Sequence, residues 1–260
     1  MKKMHTDFWI YSTLLLAIFG GCSGKGLDEN NPQAVYENAE EDIQDKHYES
    51  ALEKMKNVKN KFPYSNYAVR AKLRIADIHF LQESFIESAG AYESFRDLHP
   101  KHEKADYVLF QIGESYYFQL PSTIDRDLAP AIKSIQAYKD LKTIYPQSQY
   151  IGKASEHMKD STEKLALKEK YIADFYFIRD QFDSAAKRFE KITVKYPGVS
   201  IEEEAYWKWG QSLLFFSELP ENLDKKEITT KEAKHVFQVY LSRYPQGVFS
   251  KKAIHWLKEH

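Results

Sequence analysis

The stretch YIADFYFIRDQFDSAAKRFEKITVKYP, residues 171–197, spans one unit of a helical repeat. Two small residues, Ala173 and Ala185, are twelve residues apart. Phe189 follows one turn later, and Pro197 ends the unit. Helices cross closely only where the side chain between them is as small as alanine or serine, and a large residue one turn later fills the neighbouring gap. Because proline lacks an N–H, it stops the second helix, so the stretch predicts a pair of packed helices.

The same frame recurs in two other segments, counted back from Pro63 and from Pro100. In each segment an aromatic residue lies at the turn between the two small positions, as Phe182 does in the quoted stretch. This is the spacing of the tetratricopeptide (TPR) repeat, and repetition at a fixed period is typical of a solenoid. The corresponding small, turn and large residues are Ala39, Tyr48, Ala51 and Met55 in the first segment and Ala76, Phe85, Ser88 and Tyr92 in the second.

Two further repeats fit the frame only with insertions. Gly113 and Gly210 take the first small position, and Ser134 and Ala233 take the second, 21 and 23 residues later. An insertion inside a solenoid repeat costs little stability. The predicted fold is therefore an all-α, five-repeat TPR helical solenoid.

The insertions and the flanking segments predict further elements. Loops are expected at residues 119–128 and 217–230, and such loops are candidates for contacts with partners. Residues 149–180 contain no proline and carry a steady apolar stripe, which predicts one long helix that links two halves of the chain. A short amphipathic helix should follow Pro245 and close the solenoid with three inward side chains, Ile254, Trp256 and Leu257.

Two helix starts have local capping signals. Asn31 followed by Pro32 is typical of an N-cap and a first-turn proline. Ser200 with Glu203 has the spacing of a capping box, which predicts a helix start there.

Cys22 is the only cysteine of the chain. Two lysines, an apolar run from Phe8 to Phe19 and small residues before the cysteine have the layout of a secretory signal peptide. About a dozen apolar residues are too few for a transmembrane helix, which needs roughly 20. A signal that ends on cysteine resembles the bacterial lipoprotein type, so we predict a signal peptide at 1–21 and a lipidated Cys22 with a flexible tether over 22–31. An ordinary cleaved signal peptide is the alternative.

The rest of the composition argues against nucleic-acid binding and against catalysis. The net charge is −1 without a basic block, and no phosphate loop, H-E-x-x-H or nucleophile elbow occurs. His99 and His102 are three apart but flank a repeat-ending proline, which favours a turn over a metal site. Asp125 and Asp127 could be paired carboxylates, but a loop or helix cap is the simpler interpretation. We predict no enzyme activity, no cofactor and no metal.

Landmarks of one family occur in order along almost the whole chain. They are FPYSNYA from Phe62, DLHPKHEKADYVLFQIGESYY from Asp97, DRDLAPA from Asp125, YPQSQY from Tyr145 and the stretch from Tyr171. With the signal and Cys22, this order resembles the BamD family, lipoproteins of the β-barrel assembly machinery. The resemblance implies an all-α periplasmic protein held to the inner leaflet of the outer membrane, which works with BamA to receive unfolded outer-membrane proteins. A shorter loop before DRDL and the extra segment 218–231 leave open which other Bam lipoproteins bind.

The resemblance also implies a BamA-binding surface in the C-terminal half, residues 149–260, with the long helix, repeats 4 and 5 and the end helix. Arg188 matches the family arginine that pairs with an acidic residue in the membrane-proximal periplasmic domain of BamA. A solvated surface arginine is the alternative. The second candidate for this interface is the loop that carries Asp125, Arg126 and Asp127.

The N-terminal half, residues 32–148 with repeats 1–3, is predicted to hold a client groove. First helices of successive TPR repeats face the inside of the superhelix, and an aromatic ring with alternating charges suits a client segment that ends in an aromatic residue and a free carboxylate. These groove residues are Tyr36, Glu40, Arg70, Arg74 and Asp77. A solvated helix face is the alternative for each of them.

Two other classes of function compete with this assignment. A TPR lipoprotein that coordinates Tol or peptidoglycan processes of the cell envelope would have a similar sequence pattern. A subunit of a periplasmic enzyme is the third possibility. Co-purified partners would distinguish them.

Overall fold

The computed structural model describes residues 27–259. Within this range the chain forms eleven α-helices and one 3-10 helix, and no β-strand. In chain order they are α1 (Pro32–Gln44), α2 (Tyr48–Lys61), α3 (Asn66–Leu81), α4 (Phe85–Leu98), α5 (Ala105–Tyr117), α6 (Ala129–Ile144), α7 (Ile151–Ile178), α8 (Phe182–Lys195), α9 (Glu202–Glu218), the 3-10 helix (Pro220–Lys225), α10 (Lys226–Arg243) and α11 (Ser250–Glu259). The predicted all-α class is confirmed.

The described part of the chain divides into two compact units between residues 68 and 69. In the first unit α1 packs on α2, and in the second each helix from α4 to α11 packs on the next. Consecutive packing of this kind is the arrangement of a TPR-like solenoid, which confirms the predicted architecture. The predicted boundary between the two halves, at 148/149, lies inside the second unit.

The small residues lie where helices cross, as the repeat frame predicts. Ala76, Ser88, Ala173 and Ala185 are completely buried. Ser88 Oγ donates to the carbonyl oxygen of Ala76 at 3.3 Å and lies 2.9 Å from Ser115 Oγ, so the hydroxyl is satisfied inside the crossing.

The three repeats without insertions share one turn conformation. Lys46, Glu83 and Asp180 have φ values of 62°, 58° and 58°. Each of these residues lies two positions before a turn aromatic, and the residue between them donates its N–H back to a carbonyl five positions earlier. A left-handed residue with this hydrogen bond is the Schellman helix ending, which reverses the chain into the second helix.

In the two repeats with insertions, glycine replaces the first alanine because a ring occupies the crossing. A Cβ at Gly113 would overlap the ring of Tyr138, and a Cβ at Gly210 would overlap the ring of Phe237. Both rings are fully buried. The close approach of the second helix therefore requires glycine at both positions.

The first predicted insertion is a loop, and the second is not. Residues 119–128 connect α5 to α6 without regular structure. In contrast, 217–230 is mostly helical, because α9 continues to Glu218, a 3-10 helix follows and α10 begins at Lys226. The buried amide of Asn222 donates to the Phe216 carbonyl at 3.2 Å, which holds the 3-10 helix against the end of α9. The prediction of a loop at 217–230 was wrong.

The two capping predictions have opposite outcomes. Asn31 caps α1, since its Oδ1 accepts from the backbone N–H groups of Gln33 and Ala34 at 3.0 and 3.4 Å. The capping box at Ser200 is wrong. Its N–H and its hydroxyl both donate to the carboxylate of Glu163 on α7, so a tertiary contact uses the side chain that the local pattern assigns to the cap.

The predicted long helix at 149–180 is confirmed as α7, which has 28 residues. The end helix is confirmed as α11, with Trp256 and Leu257 packed against the neighbouring core. Ile254 was predicted to face inward and is 42% exposed, because Ala253 takes the buried position. Between residues 27 and 259 no helix combines the length and apolar character that crossing a bilayer requires.

The predicted signal peptide at 1–21 and Cys22 lie outside the described residues. The end of the predicted tether is part of the fold, because Asp28 forms a turn that is bonded to Asn30 and Asn31. Asp28 therefore belongs to the fold, a few residues before the predicted start at 32.

Candidate binding surfaces

Two of the predicted groove residues lie on α1 in the first unit. Tyr36 is only 5% exposed, and its ring packs on that of Tyr67 with centroids 5.5 Å apart. The ring therefore belongs to the core. This corrects the prediction that Tyr36 lies on the surface of a client groove. Glu40 is half-buried on the same helix.

In the second unit, Asp77 on α3 is the centre of a buried polar cluster. Its carboxylate accepts hydrogen bonds from the hydroxyls of Tyr92 at 2.5 Å and Tyr107 at 2.9 Å. Arg74 forms an ion pair with it at 2.8 Å. The amide of Gln111 donates to both tyrosine oxygens, at 3.2 and 3.0 Å. The carboxylate faces the core, so Asp77 cannot line a groove as predicted.

The cluster holds its hydroxyls in the neutral, donating form. Burial and the nearby charge of Asp77 raise the pKa of Tyr107 to about 12, and the same causes raise the pKa of Tyr92 well above its usual value. Arg74 is oriented by this carboxylate, whereas Arg70, one turn earlier, is exposed. Of the predicted groove residues on α3, Arg70 and Arg74 therefore reach the surface, and Asp77 does not.

The loop 119–128 is fastened to α7 by two lysines. Lys164 Nζ donates to the carbonyl of Pro121 at 3.2 Å, and Lys168 Nζ donates to the carbonyl of Arg126 at 2.6 Å. These bonds use backbone oxygens, so the charged side chains of the loop stay exposed.

The two loop aspartates have different local roles. Asp127 Oδ1 accepts from the N–H of Ala129 at 3.0 Å, which satisfies the first turn of α6 as the cap interpretation predicts. Asp125 is fully exposed, and a hydrogen bond from the Thr123 hydroxyl lowers its pKa. Within residues 27–259 no group of three or more potential ligands is placed to hold a metal ion.

Arg188, on α8, already has a partner within the chain. Its Nη1 donates to Glu169 Oε2 on α7 at 2.7 Å, and Lys191 Nζ donates to the other oxygen of the same carboxylate at 2.5 Å. Burial alone would raise the pKa of Glu169, but the hydrogen bonds from Lys191 and Arg188 outweigh it and hold that pKa below its usual value. Two cations thus share one carboxylate, and the cluster keeps a net positive charge.

The two predicted interface elements are bonded to consecutive residues of α7, whose side chains point about 100° apart around the helix. The loop is bonded to Lys168, and Arg188 is bonded to the next residue, Glu169. We call this region, made of the 119–128 loop, α7 from Lys168 to Ile178 and Arg188, the α7 surface.

The sequence model of the outer membrane lipoprotein family YfiO matches residues 28–212 of the chain. The chain belongs to the YfiO family. Curated relatives of this YfiO-family protein are named outer membrane protein assembly factor BamD, which confirms the resemblance seen in the sequence. The Vibrio cholerae serotype O1 relative is 26% identical over 215 residues, or 76% of this chain and 89% of the relative. The Neisseria meningitidis serogroup A relative is 28% identical over 198 residues, 70% and 74% of the two chains. The Caulobacter vibrioides relative is 24% identical over 211 residues, 79% and 69%.

The α7 surface of this YfiO-family chain includes an apolar stripe that sequence reasoning missed. Tyr171, Phe175 and Ile178 are 59%, 46% and 77% exposed, and their spacing of four and three residues puts them on one helix face. The guanidinium of Arg179 lies 3.8 Å from the ring centre of Phe175. The sequence contained a signal for this stripe, because the predicted helix puts Tyr171 and Phe175 about 160° around its axis from the buried position of Ala173.

A buried acid–imidazole pair was also missed. Glu114 on α5 accepts from the Tyr138 hydroxyl at 2.5 Å and lies 2.6 Å from His157 Nδ1 on α7. Tyr117 stacks on the imidazole with centroids 3.8 Å apart. Because both members of the pair are buried among three helices, it supports packing.

His99 and His102 lie in the turn after α4, as expected. Both imidazoles pack against Phe95, with centroids 4.9 and 5.1 Å from its ring. His102 Nδ1 accepts the backbone N–H of Lys104 at 3.1 Å, which closes the turn.

Proposed function

We propose that this chain is an outer membrane protein assembly factor: a lipid-anchored, non-enzymatic scaffold that docks on the periplasmic domains of BamA and receives unfolded outer-membrane proteins. The family and the name of its relatives, outer membrane protein assembly factor BamD, support the assembly role. The observation that carries the docking site is that the 119–128 loop and Arg188 are both bonded to α7, at the consecutive residues Lys168 and Glu169.

Arg188 is suited to take a second carboxylate. Its side chain is 37% exposed, while Glu169 is 11% exposed beneath it. A guanidinium has five N–H donors, and Glu169 uses only part of them. Because Glu169 already fixes the side chain of Arg188, binding of an acidic residue costs less rotamer entropy. The net positive charge of the cluster attracts such a residue.

The apolar stripe adds exposed apolar area to the charged groups of the α7 surface. Tyr171, Phe175 and Ile178 present contiguous apolar area beside the charged loop. Interfaces of moderate affinity combine an apolar centre that contains aromatic residues with a polar rim. The stripe and the charged loop supply these two parts, whereas Arg188 lies towards another side of α7, because Glu169 is about 120–180° around the helix from the stripe.

For clients, the proposal rests on Arg70 and Arg74. They are four residues apart on one face of α3, and Asp77 orients Arg74. Two guanidinium groups so placed can bind the terminal carboxylate of an unfolded barrel protein. A photo-crosslinker at position 70 should capture a peptide with a free aromatic C-terminus more strongly than its amidated, scrambled control. Equal capture would leave no specific client site on α3.

The anchor is proposed at Cys22. One acyl chain holds a protein only marginally, so stable attachment requires several chains. Cys22→Ala, made in the chain that keeps its signal peptide, should move the protein to the soluble periplasmic fraction. Persistence in the membrane after a carbonate wash would remove lipid anchoring from the proposal.

The docking proposal is tested by co-purification of the tagged, membrane-extracted protein with mass spectrometry of its partners. We expect BamA as the main partner. Recovery of peptidoglycan synthases or Tol proteins without BamA would instead support the envelope-coordination function. Loss of BamA after Phe175→Glu, with Val248→Glu as a matched exposed apolar control, would assign the contact to the α7 surface.

A further inference from the structure

A basic tip ends α2 in the first unit. From Lys54 to Ala68 the sequence has four lysines and no carboxylate. Lys54 is occupied by an ion pair with Asp42 at 2.6 Å. The other three lysines occupy the last two turns of α2, and Tyr64 follows in the turn to α3. We call Lys56, Lys59, Lys61 and Tyr64 the basic tip.

The side chains of the basic tip are turned to the outside. Tyr64 is completely exposed, Lys56 and Lys61 are exposed and Lys59 is half-buried. Over the described part of the chain, no ion pair involves any of these three lysines. The nearest carboxylate on α2 itself is that of Glu53, which is one turn before Lys56 and about 12 Å back along the helix axis from Lys61. Lys59 and Lys61 therefore have no carboxylate of α2 within one turn.

The basic tip contacts the segment that precedes α1. Lys61 Nζ donates to the carbonyl of Glu29 at 3.1 Å and to Asn30 Oδ1 at 2.9 Å. Even when the carboxylates of Asp28 and Glu29 are counted, three lysines leave this end of the unit cationic. Cys22 precedes Asp28 by six residues, which span at most about 20–22 Å. A lipid on Cys22 therefore keeps Asp28 within that distance of the membrane, and Lys61, which contacts the two residues after Asp28, lies close by.

We propose that the basic tip rests on the membrane, with Tyr64 among the phospholipid headgroups and the lysines on their phosphates. The inference rests on the proposed anchoring through Cys22, which supplies the proximity. Tyrosine is favoured at this depth because its ring is apolar and its hydroxyl is polar. Each lysine near an anionic surface contributes about 1 kcal/mol, or roughly a fivefold change in partition. This contact orients the first unit on the bilayer, which a tether alone does not do.

The test replaces the acyl anchor so that its result does not depend on lipidation. The mature chain with Cys22→Ser carries a hexahistidine tag in place of residues 1–21 and is held on vesicles by a nickel-chelating lipid. Tyr64→Cys then provides a single thiol for an environment-sensitive NBD label. Val248→Cys, at another highly exposed apolar position, is the matched control. Vesicles contain phosphatidylethanolamine with phosphatidylglycerol, or phosphatidylcholine alone.

On the anionic vesicles, we expect the label at position 64 to shift to the blue and to brighten severalfold, and the label at position 248 to stay unchanged. The change should fall on phosphatidylcholine, in high salt, and in Lys56→Glu/Lys59→Glu. The exposed pair Lys251→Glu/Lys252→Glu on α11 should have no effect.

Unchanged emission at position 64, or an equal change at both positions, would overturn the proposal. Unchanged emission would point to an acidic protein surface as the partner of the lysines. Either outcome would leave lipidation and the assembly role intact, because those are tested by fractionation of Cys22→Ala and by co-purification.

Discussion

Two buried carboxylates of the second unit, Asp77 and Glu169, have similar exposure and different partners. Asp77 accepts hydrogen bonds from the fully buried Tyr92 and the half-buried Tyr107, with one arginine at the edge. Glu169 is paired with two cations that are each about one-third exposed. In the Asp77 cluster the carboxylate and the hydroxyls satisfy one another, whereas the Glu169 cluster leaves charged donors at the surface. The difference suggests that the Asp77 cluster stabilises the fold and that the Glu169 cluster presents a binding group.

The largest effect on stability is expected at Asp77. Asp77→Ala removes the acceptor of two buried hydroxyls and the partner of Arg74, and such losses typically cost about 3–5 kcal/mol. Asp77→Asn, which keeps one acceptor oxygen, should cost less than half as much. Urea unfolding measures both. Near-wild-type stability of the alanine variant would show that the cluster contributes little to the fold.

A smaller loss is expected at Glu169, because water can replace it as a partner of the half-exposed cations. Glu169→Gln should lower the free energy of unfolding by about 1–2 kcal/mol. The same substitution should weaken BamA binding, since Arg188 loses the carboxylate that orients it. Undiminished binding in a stable variant would mean that this orientation is not needed.

The smallest effect is the pH dependence of the same group. The pKa of Glu169 is lowered in the folded state, so its contribution to stability is complete above the unfolded pKa, near 4.5, and is lost as the pH falls through the folded pKa. The stability difference between the wild type and Glu169→Gln should therefore shrink as the pH falls from 6 to 3. A difference that is constant over this range would contradict the assigned ion pairs.

The sequence was sufficient to predict the features that depend on local spacing. Small residues twelve positions apart predicted the crossings of α3 with α4 (Ala76 and Ser88) and of α7 with α8 (Ala173 and Ala185), because only small side chains fit there. Gly113 was assigned correctly to a crossing, although only the structure shows that the ring of Tyr138 requires it. The absence of proline predicted the whole of α7.

Features that depend on partners distant in sequence could not be predicted. The capping box at Ser200 failed because Glu163, 37 residues away, takes its hydroxyl. Arg188 was expected at an open surface, and its contact with Glu169 joins residues 19 apart on two helices. Tyr36 was assigned to the groove from repeat position alone, which does not reveal that Tyr67 covers its ring. For the groove and the BamA interface, the sequence predicted candidate residues but not their surroundings.

The most direct test of the central claim compares two neighbouring cations on α8. Lys187 is exposed, and its one ion pair among residues 27–259 is with Asp183 one turn away, so it is a matched control for Arg188. The measurement is the affinity of each purified variant for the isolated periplasmic domains of BamA, with melting temperature as the check on folding. Arg188→Glu should weaken binding by at least about 30-fold, which corresponds to about 2 kcal/mol, and a charge-reversed BamA partner should restore part of it. Lys187→Glu should bind like the wild type. Equal affinity of the folded Arg188→Glu protein, or an equal loss in both variants, would contradict docking through the α7 surface.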